Sequence, residues 1–254
     1  MSNNSLLNSI SFVLKSPSNL IVLVKKIMVR LKGGVEKTRD LDWIKQNTTD
    51  FETWANSVDS NCWAESKSFS DTLKNDAKAI LSSLPFSMGG GGIYPILYFL
   101  TILKKPKTIV ETGVAAGYSS KTFLSAIAKN GFGDLYSSDF PYFRIPNPEK
   151  YIGILVDNDL RKNWHLFIKG DEVNLPQISK EVGSIDLFHY DSDKSYAGRT
   201  YAMDCLKDKL SKDALVVFDD IQDNDHFKDY VTNNKVDFRI FEFERKYIGF
   251  IGKL

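Results

Sequence analysis

A β-branched run that leads into a glycine loop sets the architecture expected of this chain. Residues 108–120 read TIVETGVAAGYSS. Residues 108–110 form the kind of short β-branched run that becomes a buried strand, and Glu111 closes it. Gly113 and Gly117 then enclose three small residues. A strand followed by a glycine turn and a helix start is how an open α/β sheet presents a nucleotide-sized ligand with backbone N–H groups.

The segment after the glycines narrows the choice of ligand. Ser119 or Ser120 is suited to cap a helix over residues 121–129. The dinucleotide fingerprint G-x-G-x-x-G needs a glycine where this chain has Ala115, and no G-K-[ST] of a phosphate-binding loop follows. Two interpretations remain open: a ligand with little phosphate held by a small-residue loop and a carboxylate, or an ordinary tight turn.

Composition argues against several classes of protein. The 254 residues suffice for one α/β domain with an extension, and the formal net charge of +1 gives no sign of nucleic-acid binding. Cys62 and Cys205 lie far apart, as in proteins of a reducing compartment. No apolar run approaches the ~20 residues of a membrane span, and no secretory signal is recognisable. We therefore expect a cytoplasmic protein without a transmembrane segment.

The region before the glycine loop predicts helices. We expect a helical extension or cap over residues 1–85 and a ligand-binding domain over residues 86–254. Residues 19–32 mix apolar and basic side chains, which predicts a helix that packs on the domain or on a second copy of the chain; contact with an anionic membrane surface is the alternative. Residues 89–92 are four glycines, either a plain hinge or, as we favour, an active-site lid.

Acids follow the next two predicted strands. Asp139 closes the second strand, where a carboxylate accepts hydrogen bonds from both ribose hydroxyls; a helix-capping role is the alternative. We expect a short helix over residues 152–163 and the third strand over residues 164–168. Asp171 follows, as a candidate for contact with an adenine amino group or as a simple turn aspartate.

The fourth and fifth predicted strands, residues 185–191 and 214–218, also end in acids. Because the carboxyl ends of parallel strands meet at one edge, four carboxylates should gather there: Asp191, Asp193, Asp219 and Asp220. Such a cluster needs raised pKa values or a cation, and its hard oxygen ligands suit Mg²⁺, Ca²⁺ or Mn²⁺ rather than zinc.

From residue 89 onward the chain resembles the class I S-adenosylmethionine (SAM)-dependent methyltransferases, in particular the bacterial small-molecule O-methyltransferases with their macrocin-type sugar-methylating members. The motifs in order are VETGVAAGYSS (110–120), LYSSDFP (135–141), WHLFIKGDE (164–172), IDLFHYDSDKSY (185–196) and LVVFDDI (215–221). The resemblance implies a Rossmann-like α/β fold with a mostly parallel seven-stranded sheet and a C-terminal antiparallel hairpin. The tail agrees, since it predicts two strands joined by a tight turn near residues 244–246.

The resemblance also implies roles for individual residues. The residues expected to bind SAM are Glu111, Gly113, Gly117, Ser119, Asp139 and Asp171. In metal-dependent members Mg²⁺ is held by acids that correspond to Asp191, Asp219 and Asp220. Asp193 corresponds to the general base of sugar-methylating members. Lys194 departs from the histidine of many relatives. Either Asp193 is the base, or Lys194 pairs with an acid or orients the substrate, or the site has lost activity; His189 and His226 are further base candidates.

The function expected is methyl transfer from SAM to a hydroxyl group of a small polar acceptor such as a sugar, assisted by a divalent metal. A metal-independent methyltransferase of the same fold and a non-catalytic SAM- or nucleotide-binding protein are the alternatives. An NAD-dependent dehydrogenase is disfavoured by Ala115. The partners expected are the small-molecule acceptor and, as an option, a second copy of the chain.

Overall fold

The computed structural model describes residues 39–254, together with Val13 and Val24 from the segment before them. The helix expected over residues 19–32, with its membrane or subunit contact, lies outside the described residues apart from Val24. No helix in the described part of the chain is both long enough and apolar enough to cross a membrane.

Strands and helices alternate along most of the described chain. The strands are β1 (Thr108–Thr112), β2 (Asp134–Ser138), β3 (Trp164–Phe167), β4 (Ile185–Tyr190), β5 (Leu210–Phe218), β6 (Phe238–Phe243) and β7 (Lys246–Ile251). The helices are α1 (Leu41–Gln46), α2 (Phe51–Leu81), α3 (Tyr94–Lys104), α4 (Tyr118–Asn130), α5 (Asp171–Glu181), α6 (Tyr196–Leu206) and α7 (His226–Asn234).

The seven strands form one sheet in the order β3-β2-β1-β4-β5-β7-β6. The first five strands run parallel, and β7 pairs antiparallel with both β5 and β6. The order reverses between β1 and β4, so the carboxyl edge at this switch point is where an open sheet binds ligands. The predicted fold class, including the C-terminal hairpin, is confirmed.

Burial on both faces explains why the parallel strands form. Ile109 and Leu187 belong to the apolar cluster on one face, while Val110 and Phe188 belong to the cluster on the other. A strand covered on both sides reads as a continuous apolar run, and this run is the sequence signal in residues 108–110.

The hairpin of β6 and β7 turns where the sequence predicted. Glu244 and Arg245 have φ values of 49° and 66°. Two left-handed residues in succession are what a two-residue hairpin needs to match the twist of its strands. The turn places Lys246 at the start of β7, close to the carboxyl end of β5.

Two local predictions are wrong. The helix α4 begins at Tyr118 with Gly117 as its N-cap, because Ser119 and Ser120 direct their hydroxyls to Glu111 instead of capping. The helix expected over residues 152–163 is absent; the structure has turns and a 3-10 helix at Asn158–Asn163.

The failed helix has a visible cause. Gly153 takes φ 63°, and a Cβ there would overlap the ring of Trp164. Its carbonyl accepts a hydrogen bond from Arg161 Nη2 at 2.8 Å. Packing against the third strand therefore outweighs the local preference for helix.

The helices before the glycine segment pack onto the sheet. Trp54 and Trp63 of α2 both contact Phe99 of α3 edge-on, with ring centroids 5.8 and 5.9 Å apart. All three rings belong to the same buried cluster as Ile109 of β1. The division of the chain at residue 85 stays a prediction, because this core runs across it.

Candidate active site

A small cavity lies at the carboxyl edge of the sheet, at the switch point between β1 and β4. Its lining joins the glycine loop after β1, the four-glycine segment, Tyr118 and Ser119 of α4, and Asp191 after β4. Three residues predicted for the site, Gly113, Ser119 and Asp191, therefore come together here.

The two glycines of the loop are required because backbone from other segments lies directly against them. Gly113 has φ 82°, and a Cβ there would overlap the carbonyl oxygen of Asp191. Gly117 has φ 97°, and its Cβ would lie 2.8 Å from the Cα of Gly153. Both positions combine a left-handed backbone with no room for a side chain, so only glycine fits without strain.

Glu111 lies behind the loop. It is 0% exposed, and its carboxylate accepts hydrogen bonds from the hydroxyls of Ser119 (2.8 Å), Ser137 (2.7 Å) and Ser120. Burial raises the pKa of Glu111, although these hydroxyls act in the opposite direction. Glu111 therefore holds the loop and α4 in place, and its predicted contact with SAM stays a prediction.

Asp139 lies at the end of β2, half-buried beside the loop. Its Oδ2 accepts a hydrogen bond from the N–H of Ala115 at 2.9 Å, and its Oδ1 accepts one from the N–H of Phe140 at 2.7 Å. A carboxylate at this place, next to a small-residue loop, fits the pair of ribose hydroxyls for which it was predicted.

Asp171 begins α5 and joins the ends of two strands. Its carboxylate accepts hydrogen bonds from the hydroxyl of Ser138 at 2.6 Å and from that of Ser192. The neighbouring Asn174, buried and not anticipated from sequence, donates to Ser138 Oγ at 2.9 Å and to the carbonyl of Phe167 at 3.0 Å. No motif marks Asn174, because its partners lie on strands distant in sequence.

The acids after β4 and β5 meet as predicted, but a lysine lies among them. The ammonium of Lys194 contacts Asp191 Oδ1 and lies 3.0 Å from Asp220 Oδ2. Lys246 lies 3.4 Å from Asp220 Oδ1. Burial and the nearby Asp219 carboxylate raise the pKa of Asp191 to about 6. Burial also pushes the pKa of Asp220 upward, but the two lysines outweigh it and leave that pKa lowered.

Asp219 is buried beneath the four-glycine segment. It is 1% exposed, and neither carboxylate oxygen has a hydrogen-bond donor among the described residues. A Cβ on Gly92 would overlap Asp219 Oδ2, while His189 Nε2 lies 3.5 Å from Oδ1. Burial alone lowers the pKa of His189, but Asp219 and other nearby acids outweigh it and raise the pKa.

A buried arginine fixes the turn that carries these acids. Arg199 of α6 is 0% exposed, and its Nη2 donates to the carbonyls of Asp219 at 2.9 Å and Asp220 at 2.8 Å. Asp220 takes φ 54°, so the turn departs from the strand in a left-handed conformation. Sequence reasoning missed Arg199 because a charged residue on a helix is normally exposed.

Asp193, the predicted base, faces the start of α6. Its Oδ1 accepts a hydrogen bond from the N–H of Ser195 at 3.0 Å, and a Cβ on Gly198 would lie 2.7 Å from its Oδ2. The histidine His226 is buried at the start of α7, with its ring 5.7 Å from that of Phe218. The role of Asp193 stays a prediction.

Three glycines of the four-glycine segment, Gly90 to Gly92, line the cavity. A Cβ on Gly91 would lie 2.7 Å from the ring of Tyr94 and 2.9 Å from Tyr118, whose rings stack with centroids 5.8 Å apart. Glycine is therefore needed at Gly91 and Gly92 because the segment lies directly on other groups. This placement agrees with the lid interpretation, which stays a prediction.

The acids as arranged do not fit a divalent cation. Within residues 39–254 no group of three or more histidine, cysteine or acidic side chains is placed to hold a metal. Mg²⁺ needs carboxylate oxygens that face it, whereas Asp191 and Asp220 face the Lys194 ammonium. The metal role of Asp191, Asp219 and Asp220 stays a prediction that this geometry disfavours.

Part of the chain matches a family model, and solved structures share its fold. Residues 110–221 match the family model described as a methyltransferase domain. No curated protein matches the sequence. An O-methyltransferase from Bacillus cereus, solved in complex with SAH, has a TM-score of 0.52 at 15% identity over 83% of this chain and 100% of its own. An SAH-bound methyltransferase from Podospora anserina has a TM-score of 0.53 at 14% identity, over 81% of this chain and 98% of its own.

Proposed function

We propose that this chain, of which residues 110–221 match a methyltransferase-domain model, is a SAM-dependent methyltransferase that methylates a hydroxyl oxygen of a small polar acceptor. The observation that carries the proposal is the cavity in which the glycine loop after β1 meets Asp191, the acid after β4. A nucleoside-binding loop and ionisable groups thus share one edge of the sheet, as methyl transfer to a hydroxyl requires.

The cofactor side is formed by residues after β1 and β2. Asp139 would accept the ribose hydroxyls, the backbone from Gly113 to Gly117 and Ser119 would lie along the methionine part, and Asp171 would lie near the adenine. The side-chain-free glycines and the half-buried Asp139 carboxylate fit such a ligand. When bound, SAM supplies an electrophilic methyl group that the acceptor oxygen takes as the carbon–sulfur bond breaks.

The acceptor side is formed by residues after β4 and β5. Lys194 would orient the acceptor oxygen, and Asp193 would take the hydroxyl proton as the new bond forms. The residues from Gly89 to Gly92 would exclude water from the cavity, as a closed lid does in enzymes that protect a reactive intermediate. Asp191 in the cavity lining, with Lys194 in contact with it, suits a sugar or another hydroxylated metabolite.

The first test is calorimetric titration of the purified protein with SAH, followed by SAM turnover with hydroxylated sugars and phenols. We expect micromolar SAH affinity and release of SAH with at least one acceptor class. Binding of SAH without turnover on any hydroxylated acceptor would favour the non-catalytic SAM-binding alternative. Lack of SAH binding would remove the proposal altogether.

A further inference from the structure

We infer that the Lys194 ammonium is the built-in cation of the acceptor site, placed where a divalent metal would otherwise lie, so that this chain orients its acceptor without a metal. The inference rests on the proposed function for the identity of the acceptor. It concerns how the acceptor is held.

The contacts of Lys194 occupy the metal-binding positions. Its Nζ contacts one oxygen of Asp191 and lies 3.0 Å from Oδ2 of Asp220, two of the three acids expected as metal ligands. The side chains of Asp191 and Asp220 are 22% and 11% exposed and that of Lys194 is 31% exposed, so the two pairs are partly shielded from water. An ammonium and a metal ion compete for the same oxygen lone pairs, and here the ammonium has them.

The charges of the cluster are offset by the chain itself. Lys194 lies between Asp191 and Asp220, and Lys246 adds a second cation 3.4 Å from Asp220. His189 lies beside the third acid, Asp219. Crowded carboxylates need a nearby positive charge, and three basic side chains already stand next to the three acids.

The backbone at Lys194 is anchored, so the ammonium is placed by the fold. Asn224, which is buried, donates from Nδ2 to the carbonyl of Lys194 at 2.7 Å. The next residue, Ser195, caps α6 by accepting a hydrogen bond from the N–H of Gly198 at 3.0 Å. Lys194 thus leaves the chain at a fixed point between the end of β4 and the start of α6.

An ammonium imposes a different acceptor preference from a metal. A lysine has three N–H donors; two are directed at Asp191 and Asp220, which leaves one for a single acceptor oxygen. A metal ion would bind two neighbouring oxygens at once. We therefore expect acceptors with one isolated hydroxyl to be used as well as vicinal diols, within about threefold in kcat/KM, a difference no larger than the net contribution of one hydrogen bond.

The test is titration with Mn²⁺, followed by electron paramagnetic resonance, of the full chain, Lys194→Ala and Lys246→Ala. The full chain should show no Mn²⁺ binding below millimolar concentration. Lys194→Ala should gain a site, because Asp191 and Asp220 lose their shared ammonium. Lys246→Ala is the matched control: it removes a lysine from Asp220 alone and should gain none. Lys194→Met, which keeps most of the apolar stem, replaces the alanine variant if that variant unfolds.

Micromolar Mn²⁺ binding by the full chain, or loss of turnover on adding a chelator, would overturn the inference. So would Lys194 variants that are folded and gain no Mn²⁺ site. SAH affinity, measured on the same samples, reports separately on the proposed function. Its absence would refute the methyltransferase proposal without changing the metal result.

Discussion

The buried acids at the ends of β1 and β5 are held in opposite ways. Glu111 and Asp219 are 0% and 1% exposed. Glu111 accepts hydrogen bonds from three serine hydroxyls, whereas Asp219 has none from the described residues and lies beside His189. Since burial is equal, the difference lies in the partners. Glu111 belongs to a complete hydrogen-bond network, whereas the Asp219 oxygens have only the His189 ring beside them.

The largest effect is expected from Asp139→Ala on the cofactor side. This variant removes a carboxylate that would make two charge-assisted hydrogen bonds, each about 1.5–3 kcal/mol, so SAH affinity should fall by about a hundredfold or more. Calorimetric titration measures the change. Asp134→Ala, at the other end of β2 and half-exposed, is the control and should bind SAH as the unmodified chain does. Equal affinities in all three proteins would remove Asp139 from the cofactor site.

Glu111→Ala and Asp219→Asn test whether the two buried acids differ through their hydrogen-bond partners. Loss of Glu111 leaves buried serine hydroxyls without their acceptor, so the free energy of unfolding should fall by about 2–3 kcal/mol. Asp219→Asn removes a buried charge whose oxygens accept no hydrogen bond but also takes the acid from beside His189, so the loss should be smaller than that of Glu111→Ala. Denaturant titration measures both. Similar losses in the two variants would mean that partners do not distinguish the two acids.

His226 and Glu111 should make the free energy of unfolding depend on pH in opposite directions. Burial, with Arg199 nearby, lowers the pKa of His226 to about 4. A histidine kept neutral by folding stabilises the protein above its unfolded pKa. That stability is lost as pH falls from about 6.5 through about 4. We expect about 2 kcal/mol less unfolding free energy at about pH 4.5 than at about pH 7 from this group.

Glu111 should act with the other sign. Its raised pKa favours the folded state at low pH, and this contribution is lost as pH rises through the folded pKa. The histidine contribution is tested by His226→Phe. This variant lacks the group that takes up a proton on unfolding, so its free energy of unfolding should fall less on acidification, as followed by denaturant titration at several pH values. An unchanged pH profile in that variant would assign the acid sensitivity to another group.

The most local effect is expected in the four-glycine segment. A Cβ at Gly92 would overlap Asp219 Oδ2, whereas one at Gly90 meets nothing within 4 Å. Overpacking costs about 1–3 kcal/mol, so Gly92→Ala should speed amide exchange across residues 89–92 about tenfold. Gly90→Ala is the control and should leave exchange unchanged. Shortening the Asp219 side chain in the Gly92→Ala variant should restore slow exchange. If it does not, overlap with Asp219 is not what disturbs the segment.

Local signals predicted the parts of the molecule that depend on neighbours in sequence. The buried run at residues 108–110, the left-handed glycines and the turn at Glu244 follow from such signals. The predictions were wrong where a residue distant in sequence determines the local conformation. Ser119 and Ser120 bond to Glu111 across the loop, and the ring of Trp164 blocks a helix at Gly153.

The cations of the acid cluster show the same limit. Lys194 was noticed from sequence as a departure, but its position between Asp191 and Asp220 depends on the pairing of β4 with β5. Lys246 comes from a strand more than twenty residues further along the chain. No local pattern links that lysine to Asp220, because the link is made by the register of the sheet.

The position of β7 has a consequence for how the protein is made. Of the seven described strands, β7 is synthesised last, yet it lies between β5 and β6. Until it emerges from the ribosome, β5 presents an unpaired edge of β-branched and aromatic residues, the kind of surface on which nascent chains associate. A chain whose synthesis ends before residue 246 would therefore have an open sheet edge, and its Asp220 would lack one of its two lysines.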